Sequence, residues 1–140
     1  MNIVYVASEV VPFAKTGGLA DVAGALPHAL ESLGHRVSLF LPCHRRVWSA
    51  KPELVGSGVD IQVHIGSRRV DAHVHETRLP GSGVPVYLVD CPAYFDRAEL
   101  YQEGGKDYPD NCERFTFFNR AVLEAISLLD LWPNIIHCND

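Results

Sequence analysis

The segment Lys15-Thr16-Gly17-Gly18-Leu19 is the first place in this sequence where residue types and spacing suggest chemistry. It lies between an apolar run, Ile3 to Ala7, and a segment of helical periodicity. Glycines at the start of a helix let backbone N–H groups approach an anion, and the helix N-terminus favours negative charge. Lys15 adds a compact positive charge of the kind that pairs with phosphate. The segment is neither Gly-x-Gly-x-x-Gly nor a Walker loop, so the standard dinucleotide and nucleoside-triphosphatase fingerprints are absent. A glycine turn beside a solvated lysine is the competing reading, and local physics does not separate the two. Asp21 falls in the first helical turn, where it serves the helix dipole or reaches into the same cleft. Asn139 and Asp140 close the last apolar run. There they read either as an N-cap for a following helix or as part of a site.

Other chemically capable residues read more simply. His64, His73 and His75 alternate with apolar residues, which is the pattern of a solvated hairpin face. Nothing acidic or cysteinyl completes a metal-ligand set around them. Arg45 and Arg46 read as a solvated turn, and Phe115, Phe117 and Phe118 as core. No Gly-x-Ser-x-Gly elbow or Cys/His catalytic pattern is present. The four cysteines, Cys43, Cys91, Cys112 and Cys138, form no C-x-x-C pair, which excludes a zinc ribbon or thioredoxin-like motif. Three of them sit among apolar neighbours and read as small core residues.

The elements that must position these groups follow from periodicity. Asn2–Ser8 reads as a strand buried on both faces. Leu19, Val22, Ala23, Leu26, Ala29, Leu30 and Leu33 lie on one face of a helix closed by Gly34, with a kink expected at Pro27. Arg36–Pro42 is a second strand, placed to complete a right-handed β-α-β crossover. Residues 43–53 read as a polar connection. Period-two alternation over 59–65 and 70–76, broken at Gly66-Ser67, predicts an antiparallel hairpin set against the sheet. Val84–Cys91 is another buried strand. The irregular stretch 92–110 has room for one short helix near 97–101. Asp110-x-x-Glu113 has the form of a capping box before a long helix with the stripe Phe115, Phe118, Val122, Ala125, Ile126 and Leu129. Trp132-Pro133 stops it, and Asn134–Asp140 is a last strand with Ile135 and Ile136 as its core. This order predicts a doubly wound, mostly parallel α/β sheet, Rossmann-like, with an inserted antiparallel hairpin. Ligands of such sheets bind beyond the carboxyl ends of the strands. Those ends carry Ser8-Glu9, Asp90 and His137 to Asp140.

Composition sets the outer bounds. The chain has 140 residues, 47% hydrophobic and 21% charged, with a formal net charge of −5. That is enough material for one domain with its own core. The acidic balance argues against nucleic acid or an anionic membrane as partner. No apolar run reaches the roughly 18–20 residues of a membrane span. No basic segment precedes the first apolar run, so no secretory signal is expected and the cytoplasm is the expected compartment.

Beside this reading stands a resemblance. Ser8-Glu9, Pro12, the block Lys15 to Val22 and Gly24-Ala25-Leu26-Pro27 resemble the N-terminal signature of bacterial glycogen synthases and plant starch synthases, glycosyltransferase family 5. The resemblance continues through Leu41-Pro42, Tyr94 to Arg97, Tyr101, Asp110-Asn111, Arg114-Phe115 and Ile136 to Asp140. It implies the N-terminal half of a GT-B arrangement, in which two Rossmann-like domains face a cleft. It implies transfer of glucose, with retention, from ADP-glucose to the non-reducing end of an α-1,4-glucan, with no cofactor and no catalytic metal. By the same resemblance Lys15, Gly17, Gly18 and Tyr101 contact the donor, and Glu9, Asp21 and Asp140 line the cleft as catalytic candidates. Many family members have His-x-His-Asp where this chain has His137-Cys138-Asn139-Asp140. Residues 1–140 would then be an N-terminal catalytic domain, with the C-terminal domain of the same enzyme as its missing partner and no activity alone. A non-enzymatic phosphosugar- or glucan-binding module, or a UDP-glucose-using two-domain transferase, are the alternatives.

Overall fold

The computed structural model describes residues 1–140. The chain opens with β1 (Asn2–Val6), buried on both faces beyond its first residue. Helix α1 (Gly18–Ser32) then carries it to β2 (Arg36–Pro42). β2 lies parallel to β1, with Asn2 opposite Arg36 and Val6 opposite Phe40. The turn between α1 and β2 depends on Gly34, whose φ is +86°. Its N–H donates to the Glu31 carbonyl at 2.8 Å, and the His35 N–H donates to the Leu30 carbonyl at 3.1 Å. This is a Schellman closure, and its left-handed residue is cheap only for glycine.

A short helix, α2 (Arg45–Ser49), precedes the long hairpin strands β3 (Val55–Ile65) and β4 (Arg68–Arg78). Next come β5 (Pro85–Asp90), the single turn α3 (Pro92–Phe95) and the two-residue ladder of β6 (Gln102–Glu103) with β7 (Lys106–Asp107). Helix α4 (Asn111–Leu128) and β8 (Ile135–Cys138) complete the chain. One six-stranded sheet has the order β3-β4-β5-β2-β1-β8. β5, β2, β1 and β8 run parallel, and the hairpin joins antiparallel through β4 and β5. The hairpin therefore lengthens the sheet itself. Ile3, Tyr5, Leu39, Leu41, Val86 and Leu88 face α1. Val4, Val6, Phe40, Val63, Tyr87 and Val89 face α4 and α3. Fully burying side chains of this size contributes about 1.5–3 kcal/mol each, so both helices are held by the sheet.

Several details depart from the sequence expectations. α1 buries Ala20, Ala23 and Pro27, while Val22 and Leu33 stay 52% and 74% exposed. The small residues face inward because α1 lies close to the preceding loop. A side chain at Gly24 would meet the Val11 carbonyl at 3.2 Å. Residues 45–49 are helical rather than an open connection, and Val47 is fully buried. The short helix of the irregular stretch sits at 92–95 instead of 97–101, because Pro92 at its first position is preorganised to start a turn. The Asp110/Glu113 capping box does not form, since the Asp110 carboxylate binds Arg97 at 2.5 and 2.8 Å. Glu113 instead accepts from Arg68 and Tyr94, both at 2.5 Å. Phe117 and Ala121 are fully buried and Phe115 only partly, so the buried stripe of α4 is rotated from the expected one. Cys43 and Cys91 are buried, but Cys112 and Cys138 are exposed. Ile135 and Ile136 are 43% and 41% exposed, because β8 is an edge strand rather than a core one.

Candidate functional site

Polar side chains gather where β1 ends. Ser8 and Glu9 leave the strand at its carboxyl end, and the loop from Val10 to Gly17 folds back over it. Val10 and Ala14 exchange backbone hydrogen bonds at 3.0 and 2.9 Å, which pinches the loop into a compact hairpin. Glu9 is 4% exposed, unusual for a carboxylate. Its burial is matched by partners. One oxygen accepts from the Thr16 hydroxyl at 2.5 Å and from the Tyr101 phenol at 2.8 Å. The other accepts from the Thr16 N–H and from the Gly17 N–H at 3.2 Å. Burial raises the Glu9 pKa, but the hydrogen bonds from Thr16, Tyr101 and Gly17 outweigh it, and the net shift is downward. Glu9 is held as a carboxylate.

The phenol of Tyr101 also lies 2.8 Å from the Ser8 hydroxyl. It has one proton, which the carboxylate takes, so Ser8 donates to the phenol oxygen. Burial drives the Tyr101 pKa far upward, which keeps it a donor. Behind this pair lies His44, 2% exposed, with Nε2 3.1 Å from the Ser8 carbonyl. A carbonyl only accepts, so Nε2 carries the proton. Burial lowers the His44 pKa to about 4, which keeps the ring neutral.

The glycine loop presents a different face. Gly17 is the N-cap of α1, with extended φ and ψ of −146° and −162°, and no side chain caps the helix. A Cβ at Gly17 or Gly18 would meet nothing within 4 Å. The start of α1 is thus open to the surface at Gly17 and Gly18 with no side-chain cap, the arrangement that receives anions. Lys15 stands beside it, and its ammonium donates to both oxygens of Asp21 at 2.6 and 2.8 Å. Both side chains are more than half exposed. Arg46 donates to the Lys15 carbonyl at 3.3 Å.

Asp140 lies across a groove of about 560 Å3, lined on its polar side by Ser8, Glu9, Tyr101, Asn111, Asn139 and Asp140 and on its apolar side by Phe115, Val122 and Ile136. Asn139 is fixed by the Tyr5 phenol at 3.1 Å and by donating to the Val6 carbonyl at 2.9 Å. The predicted residues therefore fall into two neighbouring groups. Lys15, Gly17, Gly18 and Asp21 form the loop apex. Glu9, Tyr101 and Asp140 share the groove, and Glu9 alone contacts both. His44 had no sequence signal, since a histidine after a strand reads as surface. The roles of Asn111 and Arg114 were equally hidden, because an arginine inside a helix reads as solvated. Here Arg114 is fully buried. The three hairpin histidines stay outside the site: His73 pairs with Asp60 at 2.7 Å and His75 with Asp90 at 3.1 Å.

A β-α-β unit with an uncovered glycine loop at the carboxyl end of its first strand, in a mostly parallel sheet covered on both faces, defines a Rossmann-like α/β domain. The more particular assignment comes from comparison with known proteins. A family model described as "Starch synthase catalytic domain" matches residues 2–140, and the chain belongs to that family. It is 44% identical over 140 residues to the glycogen synthase of Aeromonas salmonicida and 46% identical over 140 residues to that of Syntrophotalea carbinolica. In both cases all of this chain is covered, and it spans 28% of the relative's length. Among solved structures it resembles the catalytic domain of starch synthase IV from Arabidopsis thaliana bound to ADP and acarbose. The TM-score is 0.80 at 28% identity, covering 99% of this chain and 27% of that one. No helix is long and apolar enough to cross a membrane.

Proposed function

We propose that this chain supplies one wall of the active-site cleft of a retaining glucosyltransferase that moves glucose from ADP-glucose to the non-reducing end of an α-1,4-glucan. The observation that carries the reading is the open start of α1 at Gly17-Gly18 with Lys15 beside it. Departure of a nucleoside diphosphate builds negative charge on its phosphates. Fixed N–H dipoles and an adjacent ammonium stabilise that charge as it develops, without reorganising. The groove between Tyr101 and Asp140 joins the loop through Glu9. Its polar rim over an apolar floor suits a sugar ring, which presents hydroxyls at its edge and C–H groups on its faces. The facing wall belongs to the remainder of a GT-B enzyme, consistent with relatives more than three times as long. Glucan and ADP-glucose are thus the partners, in the cytoplasm, and the ADP and acarbose of the starch synthase IV structure support the assignment. Within this reading Asp21 holds Lys15 until the phosphates arrive, and Asp140 faces the sugar.

The test is ADP binding followed by amide chemical shifts. ADP is expected to shift Gly17, Gly18 and Leu19 in the parent chain. Lys15→Gln is expected to weaken binding by roughly ten- to a hundredfold, the factor carried by a charge-assisted hydrogen bond of about 1.5–3 kcal/mol. ADP shifts confined to other residues would remove the loop from the donor site.

A further inference from the structure

Glu9 spends its whole hydrogen-bonding capacity on its own chain. Its four donors come from Thr16, Gly17 and Tyr101, and none of that capacity points outward. A carboxylate satisfied in this way, 4% exposed, shapes the loop above it. The Tyr101 phenol reaches Glu9 from a segment with almost no regular structure, between α3 and α4, so something must hold that segment. Asn111 does so together with the Tyr108 N–H, the two donating to the Tyr101 carbonyl at 2.8 and 3.0 Å. The Asn111 side-chain oxygen in turn accepts from Arg114 at 2.7 Å. Arg114 is fully buried and also donates to the carbonyls of Tyr94 at 2.7 Å and Leu100 at 3.0 Å. No carboxylate pairs with it directly. Its charge rests against the rings of Phe95, Tyr108 and Phe115 at 5.1 to 5.6 Å, and its Nη2 has no partner. A buried, incompletely satisfied arginine is a costly feature, and here it fixes the backbone carbonyls of residues 94, 100 and, through Asn111, 101.

We propose that Glu9 is the positioning residue of the glycine loop, and that Asn111 and buried Arg114 act through Tyr101 to hold it, so that anion affinity at the start of α1 is governed from helix α4. The relay is continuous from Arg114 to Asn111, the Tyr101 carbonyl, the Tyr101 phenol, Glu9 and the Thr16-Gly17 backbone. This inference rests on the reading of the loop as the donor-phosphate site. The ionisable groups that face Glu9 are Tyr101 itself and His44, with Asp140 beyond Tyr101 and Arg114 beyond His44.

The test uses the 140-residue chain and reads the Thr16 and Gly17 amide resonances, which report the loop whether or not a ligand binds. In the parent, both should follow protonation of one carboxyl with a midpoint below the ordinary glutamate range. Tyr101→Phe removes a donor and should move that midpoint upward. Asn111→Asp keeps an acceptor for Arg114, and hence the fold, but has no donor for the Tyr101 carbonyl. It should shift or broaden Thr16 and Gly17 at neutral pH while the chain still melts cooperatively, and weaken ADP binding by roughly fivefold, as loss of one hydrogen bond implies. Unchanged Thr16 and Gly17 signals in Asn111→Asp would overturn the relay. So would titration of the two amides at an ordinary glutamate midpoint that Tyr101→Phe does not move. Absence of any ADP shift in the parent would count against the donor-site reading instead, and the relay would stand or fall on the two amides.

Discussion

At the residue scale, the domain's backbone does not require glycine at either of the two loop positions. Neither occupies a left-handed backbone conformation, and neither would clash if given a side chain. Gly18→Ala should therefore stabilise the fold by about 0.5–1 kcal/mol, by restricting the unfolded chain and improving helix propensity. The same methyl would stand over the open start of α1, so ADP binding should fall. A melt and an ADP titration of one variant check both halves. His44 gives a second prediction. Its folded pKa, about 4, lies below the ordinary histidine value of 6.5 because burial penalises the charged ring. The unfolded chain therefore binds more protons between those values, and stability falls as pH drops from 6.5 towards 4. The loss approaches roughly 3 kcal/mol, at about 1.4 kcal/mol per pKa unit. His44→Gln, with an amide that still donates to the Ser8 carbonyl, should flatten that window in denaturant unfolding against pH. An unchanged slope would assign the acid sensitivity to other groups.

At the element scale, α4 carries the clearest division of labour. Phe117 is fully buried against the sheet, whereas Leu123 is 58% exposed. Phe117→Ala should cost about 3–5 kcal/mol through lost transfer energy and the cavity left behind. Leu123→Ala should change stability by less than about 0.5 kcal/mol. Equal losses by urea unfolding would mean the helix packs on a different face. The same helix shows where sequence reasoning works and where it stops. Phe118, Val122 and Ala125 were legible from their spacing alone, and so were the strands Ile3 to Val6 and Arg36 to Pro42, because burial on both faces leaves a continuous apolar run. The rotation of α4 was not legible. Phe115, Phe117 and Phe118 all read as core, while Arg114, which reads as solvated, shares the inward face with Phe117 and Phe118 and bonds the Tyr94 and Leu100 carbonyls. The capping box failed for a related reason. Asp110 and Glu113 have the right spacing, but Arg97 and Arg68 arrive from other elements and bind them more strongly than a local backbone N–H does. In the site, Lys15, Gly17 and Gly18 stood out because their spacing is local. The Glu9 environment did not, because its partners lie up to 92 positions away.

At the scale of the whole molecule, stability is graded across the sheet. β1, β2 and β5 are central and buried on both faces, while every residue of β8 is exposed. Amide hydrogen exchange should be slowest in the three inner strands and fastest, among the parallel strands, in β8. Protection of β8 equal to that of β1 would mean the edge is covered. Asp140 extends directly from that strand, so its side of the groove sits on the edge element, while the glycine loop is anchored to β1 through Glu9.

The Lys15–Asp21 pair means that the loop carries its own counterion. Its ammonium is already neutralised by a neighbouring carboxylate, so an incoming anion must act as a competing counterion. An exposed pair of this kind is worth about 0.2–1 kcal/mol. A pair worth so little would be exchanged at small cost by a diphosphate that also engages the start of α1. On the proposed function, Asp21 is the counterion that the donor's phosphates would replace. Asp21→Asn removes that counterion, so ADP binding should tighten at low salt and weaken more steeply as salt is added, as a titration at two ionic strengths would read.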